Sequence, residues 1–365
     1  MKKMRIIMLG ASLTQNGGIA TVEKLILKHA SPDIHIEHIT SHDEGSITHR
    51  LLIFGRAVGA LLWKLLRGET DLLHIHLSDG GSALRKAILT LIAFMFRKPV
   101  LMHAHGAEFH LTYFGLPKWA QQGLSGIFRR CNGFIVLSKT WQEFYVLNLG
   151  LNTKQVFILP NPTELPEQVP HRTNASKINL VFFGRIGQRK GAFDLIKAFA
   201  KLPADQKDRS YLILAGDGEL EQGRNLVENL NLTEHVTFLG WIDAKQRDML
   251  LAKADVFVLP SYNEGLPMAL LEAMGWGLPS ITTPVGGIPE LVSSSKNGLL
   301  VTPGDIQHLS EAMQSLISNE SLRLSLGSAA RETVAPFDIK TYCCRLSNIY
   351  QSILPISAAS ELNPR

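Results

Sequence analysis

Ten short apolar runs, separated by stretches long enough for helices, limit what this chain can fold into. They fall at 5–9, 72–76, 100–105, 133–137 and 156–159, then again at 178–183, 211–215, 236–239, 256–259 and 279–282. Short apolar runs that alternate with helices imply a parallel sheet covered on both faces. Between the two series, residues 160–176 are rich in Pro, Asn and Glu and show no periodicity, which is the composition of a linker. Two series and 365 residues predict two Rossmann-like domains, 1–165 and 166–336. No repeat of 20–50 residues is evident.

Near the end of the chain Ile339, Tyr342, Leu346, Ile349, Tyr350 and Ile353 recur at helical spacing and make one apolar face, so 337–355 reads as a helix and 357–365 as a frayed tail. Two other apolar stretches resemble membrane spans. Residues 87–96 are too few, because a span needs about 20. Residues 51–66 are interrupted by Arg56 and Lys64. Both are expected to pack on the first sheet. The alternative for 51–67 is an interfacial helix, with Phe54, Leu62 and Trp63 in the headgroups and Arg50, Arg56, Lys64 and Arg67 on lipid phosphate. The opening MKKMRIIMLG reads as a first strand, not a signal peptide.

Charge is unevenly shared. Up to Leu165 there are 18 Lys and Arg against 11 Asp and Glu, a net of +7; the remainder carries 19 against 21, a net of −2. A basic first half suits an anionic partner such as a membrane surface. Three cysteines without C-x-x-C spacing argue against a disulfide framework or a zinc site and for a reducing compartment.

The richest segment is 261–290, SYNEGLPMALLEAMGWGLPSITTPVGGIPE. Glu264 follows a strand end in a loop. Gly265 and Pro267 open a short helix, whose free N–H groups suit a phosphate. That helix carries Glu272. In a continuous helix the two carboxylates would stand about 12 Å apart, too far to act on one bond but well placed to hold the two ends of a nucleotide-diphosphate sugar. Each can accept two hydroxyl hydrogen bonds from a diol. Arg185 and Lys190 lie in GRIGQRKG, directly after the first strand of the second series. Two cations beside a glycine loop can neutralise a departing diphosphate. Gly17 and Gly18 follow the first strand and allow close backbone approach at a helix start. His74 with His76, and His103 with His105, each point one way from a strand end. They raise a zinc reading that no carboxylate or thiol obviously completes. No well-placed D-x-D motif is present, so no metal is expected on the diphosphate.

In their order along the chain these landmarks resemble the retaining glycosyltransferases of family 4, which have the GT-B fold. The match covers the glycine loop NGGIA at 16–20, His105-Gly106, the hinge LPNP at 159–162, the basic loop at 184–191 and the E-x7-E segment. The resemblance implies two Rossmann-like domains facing each other across a cleft, with the last helix crossing back to the first domain. It implies His105 beside the transferred sugar, Glu264 on that sugar's hydroxyls, and Arg185 and Lys190 on the leaving diphosphate. It further implies Gly17, Gly18, Gly265, Leu266 and Glu272 as donor-binding, with Glu272 on the ribose. The expected activity is retaining transfer of a hexose from UDP-hexose or GDP-mannose to an acceptor hydroxyl. A lipid-linked saccharide is the expected acceptor, used in the cytoplasm or at the inner membrane face, with no cofactor and no nucleic acid. A sugar-nucleotide epimerase of the same fold and a non-catalytic sugar-binding protein are the alternatives.

Overall fold

The computed structural model of the protein describes residues 3–173 and 176–354; the tail 357–365 lies outside them. The chain forms two compact units, Met1–Pro160 with Ile339–Arg365 and Asn161–Asp338. The division thus falls at the start of the 160–176 segment. Asn161 and Thr163 already belong to the second unit, where the Asn161 amide donates to the Leu266 carbonyl at 2.7 Å and Thr163 pairs with Asp338.

The first unit holds β1 (Met4–Ala11), β2 (Ile34–His42), β3 (Leu72–Leu77), β4 (Val100–Ala104), β5 (Gly133–Val136) and β6 (Val156–Ile158). They form one parallel sheet in the order β2-β1-β3-β4-β5-β6. The second unit holds β7 (Ile178–Phe183), β8 (Ser210–Ala215), β9 (Val236–Gly240), β10 (Val256–Leu259), β11 (Ser280–Thr282) and β12 (Leu299–Leu300). Its order is β12-β11-β10-β7-β8-β9, also parallel. All ten apolar runs are strands. The two strands not expected, β2 and β12, are both at a sheet edge. There one side of the strand has no neighbour, and a polar-alternating sequence such as IHIEHITSH is tolerated.

Each sheet has one point where the chain reverses its direction of travel. In the first it lies between β1 and β3, in the second between β7 and β10. Open parallel sheets bind ligands beyond the carboxyl ends of strands at such points. The loops of interest are therefore those after β1, β3 and β4 and those after β7, β8, β10 and β11.

The helix Ile339–Ile353 belongs to the first unit. It buries Ile339, Tyr342, Leu346, Ile349 and Tyr350, the expected face except for Ile353, which is half-buried, and Arg345 donates to the Ile158 carbonyl at 2.9 Å. The helices Ile47–Leu66 and Ser82–Met95 bury Ala57, Leu61 and Leu65, and Ala83, Ala87, Leu89 and Ala93, in the first core. Phe54 packs against that core and Leu62 is half-buried, which removes both from the proposed lipid-facing set. No helix among the described residues is long and apolar enough to cross a membrane. Cys131, Cys343 and Cys344 are free thiols.

Candidate active site

In the second unit the four loops beyond β7, β8, β10 and β11 are packed together through glycines. Gly191 has a φ of 70°, and a Cβ there would overlap the Pro260 carbonyl; Gly286 has a φ of 56°, and a Cβ there would overlap the Glu264 carbonyl. Both positions need glycine for conformation and for contact. Backbone bonds complete the packing: Tyr262 donates to Arg189 at 2.9 Å, Gly287 to Gly265 at 2.7 Å and Ile186 to Asp217 at 2.6 Å. The last of these places the turn Gly216-Asp217-Gly218 against the basic loop.

This frame brings Glu264 and Lys190 together. The Glu264 side chain is 5% exposed, and its Oε1 accepts from Lys190 Nζ at 2.6 Å and from Ser261 Oγ at 2.7 Å. A buried carboxylate needs such partners, because losing hydration without compensation is costly. Arg185 is different. Its side chain is 52% exposed, with Nε 3.4 Å from Asp217 Oδ1.

Pro267 directly precedes the helix Met268–Gly275, so the helix starts one residue later than the proline suggested. Glu272 lies within it, buried, and Arg247 Nη1 donates to its Oε1 at 2.6 Å. Burial pushes the Glu272 carboxyl up to about 7 against the opposing pull of Arg247, with Asp248 and Glu164 adding to the rise. Leu266 is buried and its carbonyl is held by Asn161 of the hinge segment; the Gly265 carbonyl is held by Gly287. Arg247, from the helix Ala244–Lys253, and Ser261 were not singled out from sequence. Nothing in a single surface-type arginine marks it as the partner of a glutamate 25 residues on.

In the first unit Gly17, with a φ of 149°, precedes the helix Gly18–His29, and no atom of the described residues crowds the place where its side chain would sit. That helix buries Ala20, Val22, Leu25 and Ile26, and with them Glu23, which is fully buried. A charged residue on the apolar face of this helix is a signal that sequence inspection can detect. Glu23 accepts from the Ala11 backbone N–H at 3.2 Å, and His38 Nε2 lies 3.1 Å from its Oε2. A Cβ at Gly10 would overlap this carboxylate, so the glycine at the end of β1 admits it. Lys86, also buried, donates to the Leu9 carbonyl at 3.1 Å and to Ser41. Burial lowers its ammonium to about 7, with Glu23 opposing.

The four histidines of β3 and β4 form a two-by-two block. His74 and His103 are edge to edge, with Nε2 to Nδ1 at 3.2 Å and ring planes within 7°. His76 and His105 form a second edge-linked pair, with Nδ1 to Nε2 at 2.9 Å and planes within 5°. The two pairs pack against each other with tilted rings, centroids 4.0 Å apart at 34° for His103 and His105 and 4.4 Å apart at 32° for His74 and His76. Tyr350 of the last helix closes one end, its hydroxyl 2.8 Å from His74 Nδ1. One ring nitrogen from each of His74, His76 and His103 lies within 4.8 Å of the others. Both nitrogens of His74 are hydrogen-bonded, however, which leaves that ring no lone pair for a metal. His105 is half-buried at the carboxyl end of β4, and its backbone N–H donates to the Leu77 carbonyl at 2.8 Å.

Residues 146–333 match the profile of the family described as glycosyl transferases group 1, just over half of the chain. The chain is a member of that family. Among curated relatives it is 29% identical over 203 residues to the D-inositol 3-phosphate glycosyltransferase of Corynebacterium jeikeium, 54% of this chain and 48% of that protein. The chain thus spans about half the length of that relative. It is 27% identical over 309 residues to the UDP-Gal:alpha-D-GlcNAc-diphosphoundecaprenol alpha-1,3-galactosyltransferase of Escherichia coli, 79% of this chain and 77% of that one. Among solved structures it resembles Anabaena HepE in complex with UDP-glucose, with a TM-score of 0.75 at 20% identity over 96% of this chain and 100% of that chain. The fold is therefore GT-B, and the family is that of the group 1 glycosyl transferases.

Proposed function

We propose that this glycosyltransferase moves a hexose from a nucleotide-diphosphate sugar to an acceptor hydroxyl with retention at the anomeric carbon. The observation that carries the reading is the buried Glu264, paired with Lys190 at 2.6 Å beside the reversal point of the second sheet. Glu264 takes hydroxyls of the sugar, Lys190 and Arg185 neutralise the departing diphosphate, and Glu272, steadied by Arg247, takes the ribose diol. Gly265 and Leu266 present backbone to the donor. The second unit thus carries most of the donor site, to which Gly17 and Gly18 of the first unit also belong; His105 serves the transferred sugar, and the first unit takes the acceptor.

No metal is assigned to the diphosphate, because two cations on the basic loop supply the charge a metal would. Both UDP-hexose and GDP-mannose are candidate donors. The acceptor we favour is a lipid-linked saccharide at the inner membrane face. Its support is the basic first unit and the Escherichia coli relative, whose name specifies a diphosphoundecaprenol acceptor.

The deciding experiment has two parts. A thermal-shift panel of nucleotide sugars identifies the donor, since a ligand at 100 times its dissociation constant adds about 2.7 kcal/mol. Nucleoside diphosphate is then measured with and without acceptor. Release only with acceptor supports transfer; release without sugar transfer, or none at all with every donor that binds, overturns it. The anomeric configuration of the product, read by NMR, tests retention.

A further inference from the structure

Beneath His105 the first sheet carries a buried polar array that the transfer reading leaves unused. Glu23 Oε1 lies 3.6 Å from His76 Nδ1, and both side chains are fully buried. The same His76 Nδ1 is 2.9 Å from His105 Nε2. His76 Nε2 is buried and has no hydrogen-bond partner among the described residues.

These three facts fix a proton arrangement. An unpartnered N–H costs more in a dry interior than an unpartnered ring lone pair, so the His76 proton belongs on Nδ1. There it donates to the His105 ring at 2.9 Å. The Glu23 carboxylate, 3.6 Å away, is beyond hydrogen-bond distance but close enough to favour a proton on that nitrogen electrostatically. His105 Nε2 must then accept, and the His105 proton is on Nδ1. Burial, and after it the neighbouring imidazoles of His74, His103 and His105, hold His76 well below its ordinary pKa, so the ring carries a single proton.

We infer that Glu23 and His76 are positioning residues for His105: the carboxylate selects the Nδ1–H tautomer of His76, whose donated bond makes His105 an Nδ1–H donor toward the reacting sugar. The inference rests on the reading that His105 faces that sugar. The logic is that of a carboxylate that orients an imidazole through its N–H, with a second imidazole in series. It also accounts for Gly10, the residue that leaves room for the Glu23 carboxylate.

The test uses the full chain labelled with 15N in its imidazoles. In the wild type the His105 resonances should show Nδ1 protonated and Nε2 unprotonated, and His76 the same pattern; His105→Gln and His76→Gln assign the signals. A His105 protonated on Nε2, or one averaging between tautomers, overturns the inference without reference to activity. Glu23→Gln, whose amide can face His76 with either end, should leave His105 averaging between tautomers and lower turnover about 10- to 100-fold at an unchanged donor KM. Combining His76→Gln with His105→Gln should cost no more than His105→Gln alone, whereas additive losses would show that His76 does not act through His105. Wild-type turnover in His105→Ala would remove the sugar-facing role of His105. The tautomer measured in the wild type would still decide the array on its own.

Discussion

Lys190 Nζ sits 2.6 Å from Glu264 Oε1. The cation assigned to the diphosphate and the carboxylate assigned to the sugar are thus a single ion pair, held by a glycine-packed frame. Removing one member leaves the other charged and unpaired in a nearly dry setting, which typically costs 3–5 kcal/mol. Lys190→Ala should therefore lower both turnover, by about 100-fold or more, and the melting temperature. Adding Glu264→Ala should recover part of the lost stability. Arg185→Ala should lower turnover on the same scale without moving the melting temperature, because its side chain is half exposed. Equal thermal effects in the two single variants would refute the distinction. A change confined to the donor KM would make both cations binding groups only.

Glu264→Ala should nearly abolish transfer while UDP or GDP still binds, since the base and ribose are assigned to other residues. Isothermal titration with the nucleotide, alongside product assays, checks both halves. Activity within a few-fold of wild type would sink the assignment.

Glu272 gives a pH signature. Its carboxyl is raised by burial from 4.5 to about 7 in the folded protein. The folded state therefore holds its proton more tightly than the unfolded one. The stability this confers is fully present below about 4.5 and is lost as pH rises through about 7. Melting temperatures between pH 5 and 8 should fall more steeply in wild type than in Glu272→Gln. Affinity for an intact nucleotide sugar should run the other way. It should rise from pH 6 to 8, as an ionised carboxylate becomes able to accept from both ribose hydroxyls, and be flat in Glu272→Gln. Parallel pH profiles in the two proteins would exclude Glu272 from the ribose.

Much of this architecture is legible in sequence because β5 and β10 are buried on both faces and continuously apolar, and β3 and β4, equally buried, are apolar apart from their histidines. The strand ends are legible for a related reason: glycines and prolines mark where loops must pack closely, as at Gly191 and Gly286. What escapes is pairing. Arg247 reaches Glu272, and Glu23 reaches His76, only because the fold returns separate helices to one sheet. The edge strand Ile34–His42 escapes because six of its nine residues are polar. His74, His76 and His103 are visible as a pattern, but their edge-to-edge pairing depends on the register that sets His76 opposite His103.

Transfer should survive EDTA. The basis is chemical: Arg185 and Lys190 already supply two positive charges at the loop, and the sequence has no D-x-D pair to hold a divalent ion there. Product formation with and without chelator measures this. Full loss, restored by manganese or magnesium, would overturn the metal-free reading.

Finally, the first unit should bind reversibly to anionic bilayers. The helix Ile47–Leu66 exposes Leu51, Leu52, Trp63 and Leu66, and the helix Ser82–Met95 exposes Leu84, Leu91 and Met95. Arg50 and Arg56 lie among the first set, exposed to solvent. Lys64 is tied to Glu37 and Glu69 at 3.0 Å, and Arg67 to Glu69 at 2.6 Å, so those two cations contribute less than the net charge suggests. Each unneutralised Lys or Arg near an anionic surface is worth about 1 kcal/mol, screened by salt. The apolar side chains must then carry most of the attachment. Co-sedimentation with vesicles should show binding that needs anionic lipid, weakens with salt, and falls several-fold in Trp63→Ser with Leu66→Ser. Binding to neutral and anionic vesicles alike, or to neither at low salt, would assign the basic unit to the acceptor's own phosphates instead.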